Sequence, residues 1–598
     1  MDMDYLGSKN RVNMDYRKYL SDFLSDILEM DKENTYGLLE IPPRSEMGDY
    51  AFPCFSLAKV LRKSPNLIAE DLKVEMLKKV DSKVIDKIET AGAYLNFYLN
   101  KTSVAEDVLT SVMKSNFDYG KYRASEEDET VIIEYSSPNI AKPFHVGHGF
   151  STVIGAALAR IYGFAGYNVV RMNHLGDYGT QFGKLIVAYE KYGNEDELLK
   201  SPIDELLRVY VLFHQKLEEE PELETEARER FRKLEAGEKK ERELFEKFRD
   251  ISLAEFKRIY NRLGVDFDNW NGESFYSDKI DEIVDILNEK NLLEESEGAL
   301  VVRLDELGLP PCLIKKSDGT TIYASRDLAS ALYRYRTYNF AKNIYVVGLP
   351  QSLHFKQVFA VLDKMGFDFA KNCEFVGFGL VKFGDGHFST RNGNVITLEE
   401  LLDETLAKTR DIMKKNAEAR GSAFAEDELD EISEKIAVAA VLYQYIKNGR
   451  ERDIMFSWEE MLDFDGDSAP YLQYSGARAH SILRQAGIDS DSSEDISSYF
   501  DNEDFVETVS SDFAIDLLKS IIAYKDSIKS ALKQNEPFLL ARALNNLCRA
   551  FNRFYTNCHI LNESNVEVRK ARLYLTKCFF KILKEGLALL GIEAVERM

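Results

Sequence analysis

Val131-Ile-Ile-Glu-Tyr-Ser-Ser-Pro-Asn-Ile-Ala-Lys-Pro-Phe-His-Val-Gly-His148 is the stretch that decides the fold. Its first five residues are a largely β-branched run that reads as a strand, and Ser136, Ser137, Pro138 and Asn139 form a turn. Beyond it, Val153, Ile154, Ala157, Leu158 and Ile161 recur at helical spacing. Strand, loop, helix is the opening unit of a doubly wound fold, and His145, Gly147 and His148 stand where the helix begins. A helix N-terminus offers free N–H groups and a positive dipole to phosphates, glycine lets the backbone approach closely, and imidazoles can donate hydrogen bonds. Two nearby histidines are by themselves more often surface or core residues; the strand and loop before them favour nucleotide binding.

Working outward, residues 168–172, 343–347 and 374–381 read as further strands, with a helix expected over 352–365. Together they predict a Rossmann-like, doubly wound catalytic domain over residues 121–400. It is interrupted at about 193–297 by a charged helical insertion, of which 218–250 is the most polar part. Residues 1–120 combine helical periodicity (19–30, 67–80) with strict alternation over 93–99, which predicts an α+β appendage, and 121–130 reads as a linker. From 401 to 598 strand signals vanish and amphipathic helices alternate with polar breaks such as 489–498, predicting an all-α bundle. The expected class is therefore multidomain α/β plus all-α.

A chain of 598 residues needs several cores, and 45% apolar with 30% charged residues excludes general disorder. No apolar run reaches the roughly 18 residues of a membrane span, and the first residues lack the basic and apolar segments of a secretory signal, so a cytoplasmic location away from membranes is expected. The six cysteines contain no C-x-x-C pair, so neither structural zinc nor any other protein-bound metal is expected. A net charge of −24 argues against a nucleic-acid partner. Residues 541–598, however, hold ten Lys/Arg against five Glu, an excess of five positive charges that fits either a local polyanion site or a solvated helix surface.

A second polar stretch, Phe388-Ser-Thr-Arg-Asn-Gly-Asn-Val395, follows the last expected strand. Such a loop can close over a triphosphate and stabilise developing charge, or can be an ordinary surface turn.

Residues 134–148, together with Met172-Asn-His-Leu-Gly-Asp-Tyr-Gly-Thr-Gln-Phe-Gly183 and Leu587-Ala-Leu-Leu-Gly-Ile-Glu-Ala-Val-Glu-Arg-Met598, resemble the arginyl-tRNA synthetases, a class I family. The resemblance spans nearly the whole chain. It implies ATP-dependent activation of L-arginine to arginyl-adenylate with release of pyrophosphate, then transfer to the 3′-terminal ribose of tRNA(Arg). ATP would be a substrate accompanied by Mg²⁺, and the family's usual state is a monomer. A guanidinium is planar, permanently charged and rich in donors, so its pocket needs carboxylates and polar acceptors. By resemblance, arginine contacts fall on Glu134, Ser136, Asn139, Tyr323, Asp327 and Gln351. Asp327 and Tyr323 are assigned to the guanidinium and Glu134 to the α-amino group, although Tyr323 can also be read as a core aromatic and Asp327 as a helix cap. ATP contacts fall on His145, Gly147, His148, Ser389, Thr390 and Arg391, with His145, His148, Lys142 and Arg391 in the catalytic role.

One position departs from the family, whose loop often reads S-T-R-K-G: Asn392 stands where the lysine is expected. The resemblance makes Lys142 the compensating cation, with Arg391 second. For tRNA, Tyr94, Asn96 and Phe97 are implied at the D-loop. Tyr471, Tyr474, Tyr555 and His559 are implied at the anticodon, each of them readable equally as core. Two rivals remain in view. A synthetase for another amino acid fits less well, since a cysteinyl enzyme would carry zinc ligands and the Glu134/Asp327 pair suits a cation better than glutamate. A relative that binds tRNA without charging it is motivated by Asn392.

Overall fold

The run at 131–135 becomes the strand Thr130–Glu134, an inner strand of a four-stranded parallel sheet in a computed structural model. The structure describes residues 13–121, 129–317, 322–383, 396–419, 421 and 424–598. Sheet order is Cys373–Phe378, Lys342–Gly348, Thr130–Glu134, Asn168–Met172. The chain moves from Thr130–Glu134 to one side, then returns to build the other side, so the order reverses between Thr130–Glu134 and Lys342–Gly348. In such sheets ligands bind beyond the carboxyl ends of the strands at that reversal. Glu134 ends its strand there, in register with Tyr345 on one side and Met172 on the other.

The helix Val146–Phe164 follows and lies buried along most of its length. It packs on the sheet and against the helices Glu426–Ile446 and Asp512–Gln534. Close approach is possible because a Cβ at Gly149 would meet the Tyr445 hydroxyl and one at Gly155 would collide with the Tyr135 ring. Tyr445 donates to the Val146 carbonyl at 2.9 Å, which ties the helical part of the chain to the first turn of the site helix.

Between Asn168–Met172 and the rest of the sheet, the charged sequence forms the helices Glu195–Lys200, Pro202–Lys216, Glu222–Glu235, Lys239–Leu263 and Ile280–Glu289. Leu206, Val209, Phe213, Leu223 and Phe248 face inward onto Phe182, Leu185 and Ile186, and most charges face out, apart from Glu205 and Glu241, which are buried and paired with Arg208 and Arg230. The long helix Lys239–Leu263 is also structural support for the site. Ser252 Oγ accepts from Ala141 N at 3.0 Å and the Tyr260 hydroxyl lies 2.7 Å from Ser136 Oγ, both in the loop after the first strand. On its other side Arg258 pairs with Glu399, and Arg262 with Asp403 and Glu434 at 2.6 and 2.7 Å.

Three features depart from the sequence reading. The stretch expected as one strand over 374–381 is two, Cys373–Phe378 and Val381–Phe383, because Gly379 backs directly onto the backbone at Arg452 and Asp453 and the chain changes partner. The second piece pairs in parallel with Ile454–Phe456, a three-residue strand inside the region read as all helical. Leu293–Ser296, Ala299–Val302 and Cys312–Lys315 form a small antiparallel sheet at the edge of the insertion, too short to show a period in the sequence.

In the N-terminal part, Tyr94–Leu99 is the central strand of three, between Tyr50–Pro53 and Ile85–Ala91. The following helix Lys101–Lys114 packs on Asp512–Gln534 and Val566–Leu589, joining the two ends of the chain. Glu585 fixes that junction by accepting from Tyr119 N, Gly120 N and the Tyr524 hydroxyl at 3.0, 3.1 and 2.8 Å. The positive excess at the C-terminus is partly spent internally. Lys577 and Lys581 are buried, donating to Ser492 Oγ and the Ser115 carbonyl, and Arg572 and Arg553 pair with Glu563 and Asp516. Among the described residues no helix is long and apolar enough to cross a membrane.

Candidate active site

The sequence-expected ATP contacts begin at the first turn of Val146–Phe164. His145 is its N-cap, with Nδ1 accepting from Gly147 N at 3.1 Å, and His148 Nδ1 accepts from His145 N at 3.3 Å. The two rings stack with centroids 3.6 Å apart. Burial lowers the pKa of both, helped at His148 by His145 and Lys142 and at His145 by Lys142; for His148 the value falls to about 3. Both imidazoles are therefore neutral near pH 7. With each Nδ1 accepting, each proton sits on Nε2, so the pair presents two N–H donors beside the free backbone N–H groups of the helix start. Lys142 is exposed three residues earlier, and no carboxylate among the described residues pairs with it. Ser389, Thr390 and Arg391, with Asn392, lie outside the described residues.

His148 makes stability depend on pH. Its proton affinity is lower in the folded state than the ordinary imidazole value of 6.5, so the unfolded chain binds more protons below 6.5 and stability falls on acidification toward about 3. Each pH unit in that window costs roughly 1.4 kcal/mol from this residue. Urea unfolding at pH 7, 6 and 5 should show that slope, and His148→Asn, which keeps an acceptor for His145 N, should flatten it.

The loop after the first strand carries three non-glycine residues in the left-handed region, Ser136, Ser137 and Ala141, a density that marks a conformation imposed by its surroundings. Ser136 is buried and bound from three sides: its N donates to Ser151 Oγ, and its Oγ contacts the hydroxyls of Thr152 and Tyr260. It shapes the loop and has little surface left for a ligand. Asn139 is half-buried and bridges to Gly176, where a Cβ would collide with Asn139 Oδ1.

The helix Tyr323–Tyr338 supplies the other wall. Its N-cap is Ile322, so Asp327 is not a cap, and Tyr323 is 61% exposed, so it is not a core aromatic. Asp327 and Arg334, seven residues apart, lie on one face of that helix. Arg334 is fully buried and its Nη2 lies 2.5 Å from Glu134 Oε2; Glu134 thus reaches the site already ion-paired inside the fold. Arg334→Met leaves a buried, unpaired carboxylate and should cost about 3–5 kcal/mol in equilibrium unfolding, part of which Glu134→Gln in the same chain should restore.

Asp327 Oδ2 lies 2.5 Å from Nε2 of His354, in the first turn of the helix Ser352–Lys364, which begins immediately after Gln351. Gln351 is exposed at that corner. The structure adds an acid that the sequence reading missed. Glu273 is nearly buried, and burial, reinforced by Asp327 and Asp177 against the opposing Arg326, pushes its carboxyl up to about 7. Its Oε2 lies 3.2 Å from Arg326 Nε without the alignment of a hydrogen bond, and both atoms are otherwise unpartnered among the described residues. The Arg326 guanidinium lies over the rings of Tyr178 and Tyr323 at 4.6 and 5.1 Å. Asp177, buried beneath, accepts from Ser274 N and Oγ at 2.8 and 2.7 Å and fixes the turn that presents Glu273. Glu273, Asp327 and Tyr323 thus gather about Arg326, while Glu134 is held by Arg334 of the same helix and Gln351 precedes the helix that carries His354. Nothing in the local sequence of Glu273 marked it; its signal is three-dimensional.

The residues expected to face tRNA divide. Phe97 is fully buried, because strand alternation turns Leu95, Phe97 and Leu99 into the N-terminal core, so it cannot stack on a base. Tyr94, Asn96 and Tyr98 share the opposite face, where Asn96 is buried and Tyr98 is the second aromatic beside Tyr94. Tyr471 is likewise buried, its hydroxyl accepting from Asn552 Nδ2 at 3.0 Å, which is the core alternative for that residue. Tyr474 and Tyr555 flank the Arg478 guanidinium at 4.8 and 5.0 Å. With exposed His559 they line an open groove of about 680 Å³ that also includes Arg484 and Arg597.

A parallel sheet with its crevice at the strand reversal, an H-V-G-H helix start and a helical domain behind it define the class I aminoacyl-tRNA synthetase architecture. The chain belongs to the arginyl family of that class: residues 109–458 match "tRNA synthetases class I (R), catalytic domain", residues 472–598 match the "DALR anticodon binding domain", and residues 14–99 match the "Arginyl tRNA synthetase N terminal domain". It is 50% identical over 586 residues to an arginine–tRNA ligase of Clostridium acetobutylicum and 47% identical to that of Clostridium perfringens, covering 98% of this chain and 100% of each relative. The crystal structure of the Plasmodium falciparum arginyl-tRNA synthetase superposes with a TM-score of 0.78 at 26% identity, covering 94% of both chains. The Thermus thermophilus enzyme shares the fold with a TM-score of 0.80 at 24% identity, covering 98% of this chain and 100% of its own.

Proposed function

We propose that the cleft lined by Glu134, Asn139, Glu273, Tyr323, Asp327 and Gln351 holds L-arginine for activation, with ATP on the helix start at His145, Gly147 and His148. The function served is that of an arginine–tRNA ligase: ATP and L-arginine give arginyl-adenylate and pyrophosphate, and arginine is then esterified to tRNA(Arg). The observation that supports the site assignment is the pair of acids beside the exposed Tyr323: Asp327, with only Oδ2 engaged by His354, and Glu273, whose Oε2 is buried 3.2 Å from Arg326 Nε without a hydrogen bond. A substrate guanidinium would supply donors to the carboxylate oxygens that Arg326 and His354 do not engage. The α-amino group would turn to Asn139, Gln351 and the remaining oxygen of Glu134.

The arginine carboxylate attacks the α-phosphorus, the bond to the bridging oxygen breaks, and pyrophosphate departs with its electron pair. The ribose 2′-OH of the terminal nucleotide then attacks the acyl carbon and AMP leaves. No protein nucleophile takes part. The chain contributes position and charge: two Nε2–H donors, the helix N-terminus and Lys142 face the phosphates. Mg²⁺ would travel with ATP, its ligands coming from phosphate oxygens, since the side chains here are donors and a cation. By resemblance, Ser389, Thr390 and Arg391, outside the described residues, are assigned to ATP as well.

For tRNA, Tyr94 and Tyr98 offer stacking surface on the N-terminal domain, within residues 1–120, and Tyr474, Tyr555 and His559 line the groove of the helical domain, within 401–598. We place the catalytic domain at 121–400 with its insertion at about 193–297. A net charge of −24 favours a chain that stays dissolved and apart from its copies, and we assign a cytoplasmic monomer. The test is charging of tRNA(Arg) with labelled arginine and ATP: acid-precipitable arginine is expected, and its absence would overturn the reading.

A further inference from the structure

We infer that His354 is a positioning residue for arginine recognition, holding the Asp327 carboxylate in the plane and orientation that the substrate guanidinium requires. The inference rests on the assignment of Asp327 to the guanidinium given above. The His354 ring nitrogen Nε2 lies 2.5 Å from Asp327 Oδ2, a short charge-assisted hydrogen bond between two partly buried side chains. The two come from different elements, Asp327 from the first turns of Tyr323–Tyr338 and His354 from the start of Ser352–Lys364. Phe355, next to the histidine, is buried against Tyr345 and Phe375, so the backbone that carries the imidazole is anchored in the core.

The consequence is geometric. An aspartate free to rotate about its last bond presents its oxygens in many directions, and a planar guanidinium pays to select one of them. With Oδ2 held by the imidazole, the plane of the carboxylate is set before substrate arrives, and Oδ1 remains open among the described residues. Pre-organisation of this kind strengthens binding without touching substrate. It also makes Gln351 and His354, three residues apart, a single unit: one turn of chain offers an exposed amide to the substrate and orients the acid opposite it.

The experiment is steady-state charging of tRNA at saturating ATP and tRNA, with arginine varied, for the full chain and for His354→Phe, His354→Gln, Asp327→Asn and the double variant His354→Phe/Asp327→Asn. His354→Phe keeps the ring and removes the donor; the arginine KM should rise about tenfold, the usual size for a hydrogen bond to a charged group, with kcat and the KM for ATP and tRNA unchanged. Glutamine can place an N–H where Nε2 lies, so His354→Gln should return the arginine KM to within about twofold of the parent, a rescue that packing alone would not produce. In the double variant the His354→Phe effect should disappear, because there is no carboxylate left to orient. If Asp327→Asn raises the arginine KM and His354→Phe does not, or if glutamine fails to rescue a folded His354→Phe, the positioning role is wrong and the pocket stands. If Asp327→Asn leaves the arginine KM unchanged, the assignment of Asp327 is wrong and the inference falls with it. Should His354→Phe fail to fold, His354→Asn, whose amide is too short to reach Asp327, replaces it under the same criteria.

Discussion

Glu273→Gln is expected to raise the KM for arginine about a hundredfold while leaving those for ATP and tRNA in place. The substitution keeps volume and shape and removes only the charge, and a buried charge-assisted hydrogen bond lost in this way costs about 2–5 kcal/mol. Glu273 also has a signature that distinguishes it from Asp327. Its carboxyl is pushed up to about 7 by burial, with Asp327 and Asp177 adding to the rise and Arg326 opposing it. Only the ionised form attracts a guanidinium, so the affinity for arginine should improve as pH rises through about 7 in the parent chain and stay flat in Glu273→Gln. Without substrate, the raised value means that stability from this group is complete below 4.5 and is lost as pH rises toward 7, while bound arginine restores it. Arginine-dependent thermal shifts at pH 6, 7 and 8 check both statements.

Lys142→Met is expected to lower kcat about 100- to 1,000-fold with the arginine KM unchanged, the size seen when one group stabilising transition-state charge is removed. Both histidines at the helix start are neutral, His148 held down to about 3 and His145 lowered by burial, so neither brings a full charge to the departing pyrophosphate. Asn392 brings none either. Lys142 is exposed and unpaired by any described carboxylate, and its charge is felt at both imidazoles, which places it beside the helix start proposed for the phosphates. Single-turnover adenylate formation should isolate the loss to the chemical step. Asn392→Lys in the Lys142→Met background should recover about tenfold, because it restores the lysine that the family carries at this position.

The parts of this molecule that were legible in its sequence are those with a strong local period. Four parallel strands and the helix at 352–364 could be read because each carries a β-branched run or an apolar stripe of its own. The break at Gly379 could not, since it is forced by the backbone at Arg452, some seventy residues away. The site divides in the same way. His145, Gly147 and His148 were legible because a helix start is a local object. Glu273 was not, because it becomes a candidate only where its turn, held by Asp177, meets Arg326 and Asp327 from another helix. Arg334 was missed for a related reason: within its own helix it reads as one more surface cation, and only the fold shows that it is buried against Glu134. Phe97 was misplaced by one residue in an alternating strand, which is enough to exchange a stacking face for a core.

The central claim is that two partly buried carboxylates, Glu273 and Asp327, select a cation. It is tested most directly by arginine-dependent exchange of pyrophosphate into ATP in the presence of tRNA(Arg), with citrulline as the competing substrate. Citrulline has nearly the shape of arginine and no charge. Exchange with arginine and a discrimination of about 10⁴ or more against citrulline is the predicted result, since sites built on buried polar groups reject analogues that leave them unpaired. Exchange with citrulline within about tenfold of arginine would contradict the account.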